Sequence, residues 1–269
     1  MHLLMGSGVT DPGYKIFMCA GRLFLLATAC SLLLAGPAGM ADSVGSPTPA
    51  SEVPPESVIL LHGLARSPRS MRHMQEALTD AGYRVYNLDY PTTGKNVQQL
   101  TDEHLAPLVV RCQFANPPKL HFVAHSLGNI VLRQYFKDHR LHNAGRLVML
   151  GPPNQGSEVV DKLGGFALFD WINGPAGQQL GTGNEALPAT LPPPPLETGV
   201  IAGRHSINWI LSCLIPGPDD GKVSIEHTQF KGMRDFITVP VSHPFLMRDR
   251  DVIRLTLHFL QHGRFEQSE

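Results

Sequence analysis

The stretch Leu120-His121-Phe122-Val123-Ala124-His125-Ser126-Leu127-Gly128-Asn129 decides how the rest of the chain is read. Leu120 to Ala124 is a short apolar run of strand type, and Asn129 to Lys137 carries the spacing of a helix. Between them a Ser is flanked by small residues two positions before and two after. Such a junction is a sharp strand-to-helix turn, because only small side chains let the strand and helix backbones approach closely.

Working outward, the same alternation recurs. Ser57 to Leu61 reads as a strand, and Ser70 to Ala81 as a helix with Met71, Met74 and Leu78 inward. Gly82 suits a left-handed cap, and Tyr83 to Leu88 begins a second strand. A helix is expected over Asn96 to Arg111, with Val97, Leu100, Leu108 and Val109 as its inner stripe. Beyond the junction, Arg146 to Leu150, Thr198 to Ala202 and Asp235 to Val239 are further strands. Asp249 to His262 is a closing amphipathic helix with Val252, Ile253, Leu257 and Leu260 inward. Parallel strands need crossover helices, so this order predicts an α/β fold with a mostly parallel central sheet flanked by helices. Gly151 to Glu197 contains nothing that fits the sheet. It is read as a cap insertion (about 152–197) over the carboxyl ends of the strands, with Leu191 to Pro195 as a stiff extended return; the plainer reading is a disordered surface loop.

The flanks and the composition narrow the class. The chain has 269 residues, 22 Lys+Arg against 23 Asp+Glu, a net charge of -1 and 42% apolar content. A balanced charge gives no footprint for nucleic acid, and the apolar content excludes a disordered solvating chain. Leu23 to Ala35 is almost wholly apolar and is followed by Gly36, Ala38, Gly39 and Ala41. It is shorter than the roughly 20 residues of a stable membrane helix, so residues 1–41 are expected to be an export signal cut after Ala38 or Ala41, with Met18 as an alternative start. The alternatives are an uncleaved segment tethering an exported domain to a membrane, or a lipoprotein at Cys30. Residues 42–56 form a flexible Ser/Pro-rich linker, and 57–265 the folded domain, expected to be a monomer. Cys112 and Cys213 would survive cleavage, either paired or as buried thiols.

Chemistry enters at Ala124-His125-Ser126-Leu127-Gly128, which has the form of a nucleophile elbow with Ala124 in place of the commoner Gly. A Ser hydroxyl needs a base, a carboxylate to orient it, and donors aimed at the oxyanion. His243, between the last strand and the closing helix, suits the base. Asp219-Asp220-Gly221 follows the fifth strand, and Asp220 is chosen over Asp219 as the acid. The Leu64 N–H after His62-Gly63 and the Leu127 N–H suit an oxyanion hole. Phe166, Phe169 and Trp171 of the insertion suggest a greasy substrate-binding wall. Each has a duller reading: Ser126 as a helix N-cap, His243 as a surface His, and the Asp pair as a turn. His62 is expected to pack beneath the oxyanion loop, and His125 to tilt into the contact between helix and strand. His258 and His262 have metal-ligand spacing without a partner Glu, so a solvated helix face is expected, and no metal or cofactor is called for.

Together these segments, with Gly151 to Ser157, Pro218 to Val223 and Ser242 to Phe245, resemble the α/β-hydrolase fold family and, within it, bacterial lipases and esterases. The resemblance spans Ser57 to Phe265. It implies a serine hydrolase using Ser126, Asp220 and His243 on carboxylic esters, small or lipidic. A thioesterase, amidase or acyltransferase would use the same three residues, and a non-catalytic interaction protein is the alternative from another class.

Overall fold

A computed structural model describes residues 54–163, 174–206, 215 and 217–266. The chain divides into two units, Met1–Ala50 and Ser51–Glu269, and all described residues belong to the second. The leader, Phe166, Phe169, Trp171 and Cys213 lie outside the described residues.

Six strands form one parallel sheet: β1 (Ser57–Leu61), β2 (Arg84–Asn87), β3 (Leu120–His125), β4 (Ala144–Leu150), β5 (Glu197–Gly203) and β6 (Asp235–Val239). Their order across the sheet is β2-β1-β3-β4-β5-β6. The chain therefore steps from β1 to β2 on one side and returns to place β3 on the other. That reversal opens a crevice at the carboxyl ends of β1 and β3, where open α/β sheets bind ligands. Register pairs Leu61 with Ala124, so the turn after β1 stands directly beside the turn after β3.

Both faces of the sheet are covered, and the period-2 alternation of each strand sorts the core into two layers. Ile59, Leu61, Phe122, Met149 and Val200 point to one side and pack with Ile130, Val131 and Leu132 of α4 (Leu127–Asp138). Val58, Leu60, Val123, Val148 and Ile201 point to the other, against Met74 and Leu78 of α1 (Arg72–Asp80) and against the closing helix, Arg250–His262. The central strands β1 and β3 are buried along their whole length and are mostly apolar, whereas the edge strands β2 and β6 are only partly buried and mix polar with apolar residues.

Two expectations change. The helix expected over Asn96 to Arg111 is α2 (Val97–Leu100), a five-residue π-turn (Thr101–Leu105) and α3 (Ala106–Phe114). Pro107 at the start of α3 has no N–H and crowds the carbonyl one turn back, so the backbone widens just before it. Asn96 starts the segment with a full capping box to Gln99. In the closing helix the fully packed residues are Val252, Leu255, Thr256, Phe259 and Leu260, while Ile253 and Leu257 are only half-buried at the edge of the stripe. Asp249 caps its amides, and no helix among the described residues is long and apolar enough to cross a membrane.

Between β4 and β5 the chain forms α5 (Glu158–Leu163), a helical turn over residues 174–178 and another at Leu187–Thr190. Ala176, Leu180, Leu191 and Leu196 of this segment join the main core. Its described part is thus packed, unlike a disordered loop.

Candidate active site

The residue at the tip of the β3 turn is Ser126, with φ 53° and ψ -122°. A side chain with a Cβ occupies that region at a cost of about 1–3 kcal/mol, so the surroundings must hold it there. Part of the restraint is a close approach. A Cβ at Gly128 would lie 2.9 Å from the carbonyl oxygens of both Leu61 and His62, and one at Gly63 would lie 2.7 Å from His125 Nδ1. Gly at both positions lets the β1 turn lie on the β3 turn. Ala124 is completely buried between β1 and β4. Its methyl is accommodated there in place of the commoner Gly.

Three side chains from separate segments meet at this point. Ser126 Oγ lies 2.9 Å from His243 Nε2, and His243 Nδ1 lies 2.6 Å from Asp220 Oδ2. His243 opens a 3₁₀ turn, His243–Arg248, whose Pro244 at the first turn suits a position where no intrahelical N–H is needed. The His243 N–H donates to the Asp220 carbonyl at 3.0 Å, so backbone and side chain fix the same pairing. The other carboxylate oxygen of Asp220 accepts the N–H groups of Lys222 and Val223, each at 3.0 Å. All three side chains are buried, Ser126 least, at 9% exposure. Asp219 instead accepts the Gly221 N–H and shapes the turn. Both Asp residues serve the same tight loop, and the way the loop folds directs Asp220 at the imidazole.

The two amides named for an oxyanion hole occupy the turns beside Ser126. Leu127 is the first residue of α4, where N–H groups have no intrahelical acceptor. Leu64 follows Gly63 in the β1 turn, and the next N–H, of Ala65, donates to Thr92 Oγ1 at 3.0 Å. Ala65 has φ 52°, so the turn is tightly wound. Tyr90 donates its hydroxyl to the His62 carbonyl, and its ring lies 4.4 Å from that of His62. The β1 turn is therefore held from below by Tyr90 and from the side by Thr92. Sequence reasoning passed over both; the signal was a polar pair following a strand, Tyr90-Pro91-Thr92.

His125 does more than fill the contact between strand and helix. Its Nε2 lies 3.0 Å from the His243 carbonyl oxygen and its ring 4.9 Å from the His243 ring. Burial, followed by the neighbouring His243 charge, holds His125 well below its ordinary value of 6.5. It is neutral at physiological pH and donates to that carbonyl. His62 is lowered as well, by burial first. The rings of His258 and His262 lie 4.4 Å apart and tilted on the closing helix, with His258 Nδ1 turned to the Arg264 carbonyl, and no group of three metal-ligating side chains occurs among the described residues.

Comparison with known proteins agrees with the architecture. The family model described as "Alpha/beta hydrolase family" matches residues 58–254. No curated protein sequence matches the chain. Among solved structures, the Bacillus licheniformis lipase BlEst2 in its propeptide form superposes with a TM-score of 0.65 at 20% identity, over 85% of this chain and 54% of that one. Its mature form gives 0.58 at 22% identity, over 81% and 93%. Phospholipase PlaB from Legionella pneumophila gives 0.53 at 16% identity, over 65% and 45%. The matched region thus spans about half the length of the propeptide form and of PlaB. A family match across most of the chain and a six-stranded parallel sheet flanked by helices place this protein in the alpha/beta hydrolase family, with lipase- and esterase-like structural neighbours.

Proposed function

We propose that this protein is a serine hydrolase that cleaves carboxylic esters through an acyl-enzyme. The observation that carries the reading is the buried relay Ser126–His243–Asp220, continuous at 2.9 and 2.6 Å. Ser126 Oγ attacks the ester carbonyl as His243 Nε2 takes its proton. The N–H groups of Leu64 and Leu127 receive the developing oxyanion, and the alcohol leaves with the proton returned by His243. Water then repeats the sequence and frees the acid. Asp220 keeps the imidazole in the tautomer that leaves Nε2 open as an acceptor, and its own orientation is fixed by the Lys222 and Val223 amides. His125 is a positioning residue, steadying the backbone of His243.

Phe166, Phe169 and Trp171 form the apolar acyl wall in this proposal, an assignment that rests on their sequence character. Export by the N-terminal segment and a monomeric state belong to the same proposal; intact mass of the mature protein and light scattering test them. Lipase and phospholipase are the names of structural neighbours, and they support an ester substrate only through the shared fold.

The test is covalent. A fluorophosphonate should label Ser126 in folded protein, and a nitrophenyl ester series should be hydrolysed with a preference for longer acyl chains. Ser126→Ala should fold and lose turnover by about 10³-fold or more. Folded protein that hydrolyses esters without acquiring the label at Ser126 would remove the assignment.

A further inference from the structure

Beside the proposed catalytic relay lies a cavity of about 580 Å³ whose charge the ester chemistry does not use. Arg66, Arg69, Arg72 and Arg248 line it together with His73, and no carboxylate does. These residues come from two segments, the chain running from the β1 turn into α1 and the turn that begins with His243. The lining reaches Ala65, which adjoins Leu64, and Pro244, which adjoins His243, while Leu64, Ser126 and His243 themselves lie outside it. The Arg66 charge is felt at both His125 and Lys222.

Four arginines line this open cavity, and all four are exposed, so water screens their mutual repulsion and leaves their guanidinium groups accessible to an anion. Among the described residues Arg66, Arg69 and Arg248 make no ion pair. Glu76 lies 3.6 Å from Arg72, but those side chains are 67% and 59% exposed, where such a pair contributes little. Arg69, Arg72 and His73 also crowd the start of α1, where cations are disfavoured by the helix dipole. Arg248 is pre-set by stacking on Phe245, 4.2 Å from its ring centroid. An accessible group of arginines with no carboxylate among the lining residues suits an anion, and planar guanidinium forks match the tetrahedral oxygens of phosphate.

We propose that this cavity is an anion subsite for the phosphate group of a phosphorylated carboxylic ester whose acyl carbonyl reaches Ser126. The inference rests on the hydrolase reading for its orientation, and its binding test does not.

In full-length Ser126→Ala protein, calorimetry with glycerol 1-phosphate and with inorganic phosphate should show saturable binding that weakens with salt. The pair Arg69→Gln/Arg72→Gln, and separately Arg248→Gln from the facing wall, should each raise Kd about tenfold. In Ser126 protein, kcat/KM is compared for a soluble short-chain phosphatidic ester and the diacylglycerol of the same chains. The ratio should favour the phosphorylated ester and fall about tenfold in the double variant. Binding indifferent to all three arginines would overturn the subsite. Inorganic phosphate binding with no change in the ester ratio would assign the cavity to free phosphate and overturn the substrate claim. Absence of a fluorophosphonate adduct on Ser126 would sink the hydrolase reading and leave the calorimetry standing.

Discussion

At Asp220 the two carboxylate oxygens have different duties, and the difference makes its role testable. Oδ1 is held by two amides, so an Asn there keeps its carbonyl in that cradle and turns its NH₂ toward His243. An NH₂ opposite Nδ1 forces the imidazole proton onto Nε2, where it can no longer accept from Ser126. Asp220→Asn should therefore fold near normally and lose about 10³–10⁴-fold in kcat, read from steady-state hydrolysis of a nitrophenyl ester. Gly128 makes the complementary case, with the cost in the fold. A methyl there meets two backbone carbonyls at 2.9 Å that neither a rotamer change nor a flexible tip can relieve. Gly128→Ala should lower stability by about 1–3 kcal/mol in a urea titration.

At the scale of elements, α4 carries an apolar face and one buried cation. Arg133 is 5% exposed and donates to the carbonyls of Asn154 (3.0 Å), Pro188 (2.9 Å), Leu191 and Pro192 (3.3 Å). It ties the segment between β4 and β5 down onto α4. Burial lowers its pKa to about 10, which still leaves it cationic at neutral pH. Arg133→Leu would fill similar space yet strand several buried carbonyls, so a loss of about 3 kcal/mol is expected, with faster proteolysis within residues 174–196. None of this was legible in the sequence, where an Arg amid Ile130, Val131 and Leu132 looks like an ordinary solvent-facing position. What was legible depended on local grammar. β6 follows Asp235 to Val239 residue for residue, since the run is bounded by polar and turn residues. The break at Thr101–Leu105 required weighing one Pro against a strong helical stripe. Ser126 announced itself through its small neighbours. The preference for Asp220 over Asp219 had only adjacency to Gly221 behind it, whereas the folded loop sets the two apart by which one faces His243.

At the scale of the whole domain, three histidines among the described residues are buried in the sheet and its turns with pKa values below the ordinary 6.5: His62, His121 and His125, each chiefly through burial. His121 keeps a contact of 3.1 Å from Nε2 to Glu56, which raises its value without offsetting the burial. In the unfolded chain these side chains take up protons as pH falls through 6.5, while in the folded chain they resist. The unfolded state then binds more protons, so their contribution to stability is present above 6.5 and is lost as pH falls below it. The limiting slope is about 1.4 kcal/mol per pH unit for each histidine that stays neutral when folded. Melting temperature should be nearly level from pH 8 to 7 and drop steeply toward pH 5. His125→Gln tests the assignment to a residue, since Gln keeps an N–H for the His243 carbonyl but cannot take up a proton. Its fall in stability between pH 7.5 and 5.5 should be shallower than that of the unmodified protein, and an equal or steeper fall would place the acid sensitivity elsewhere in the domain.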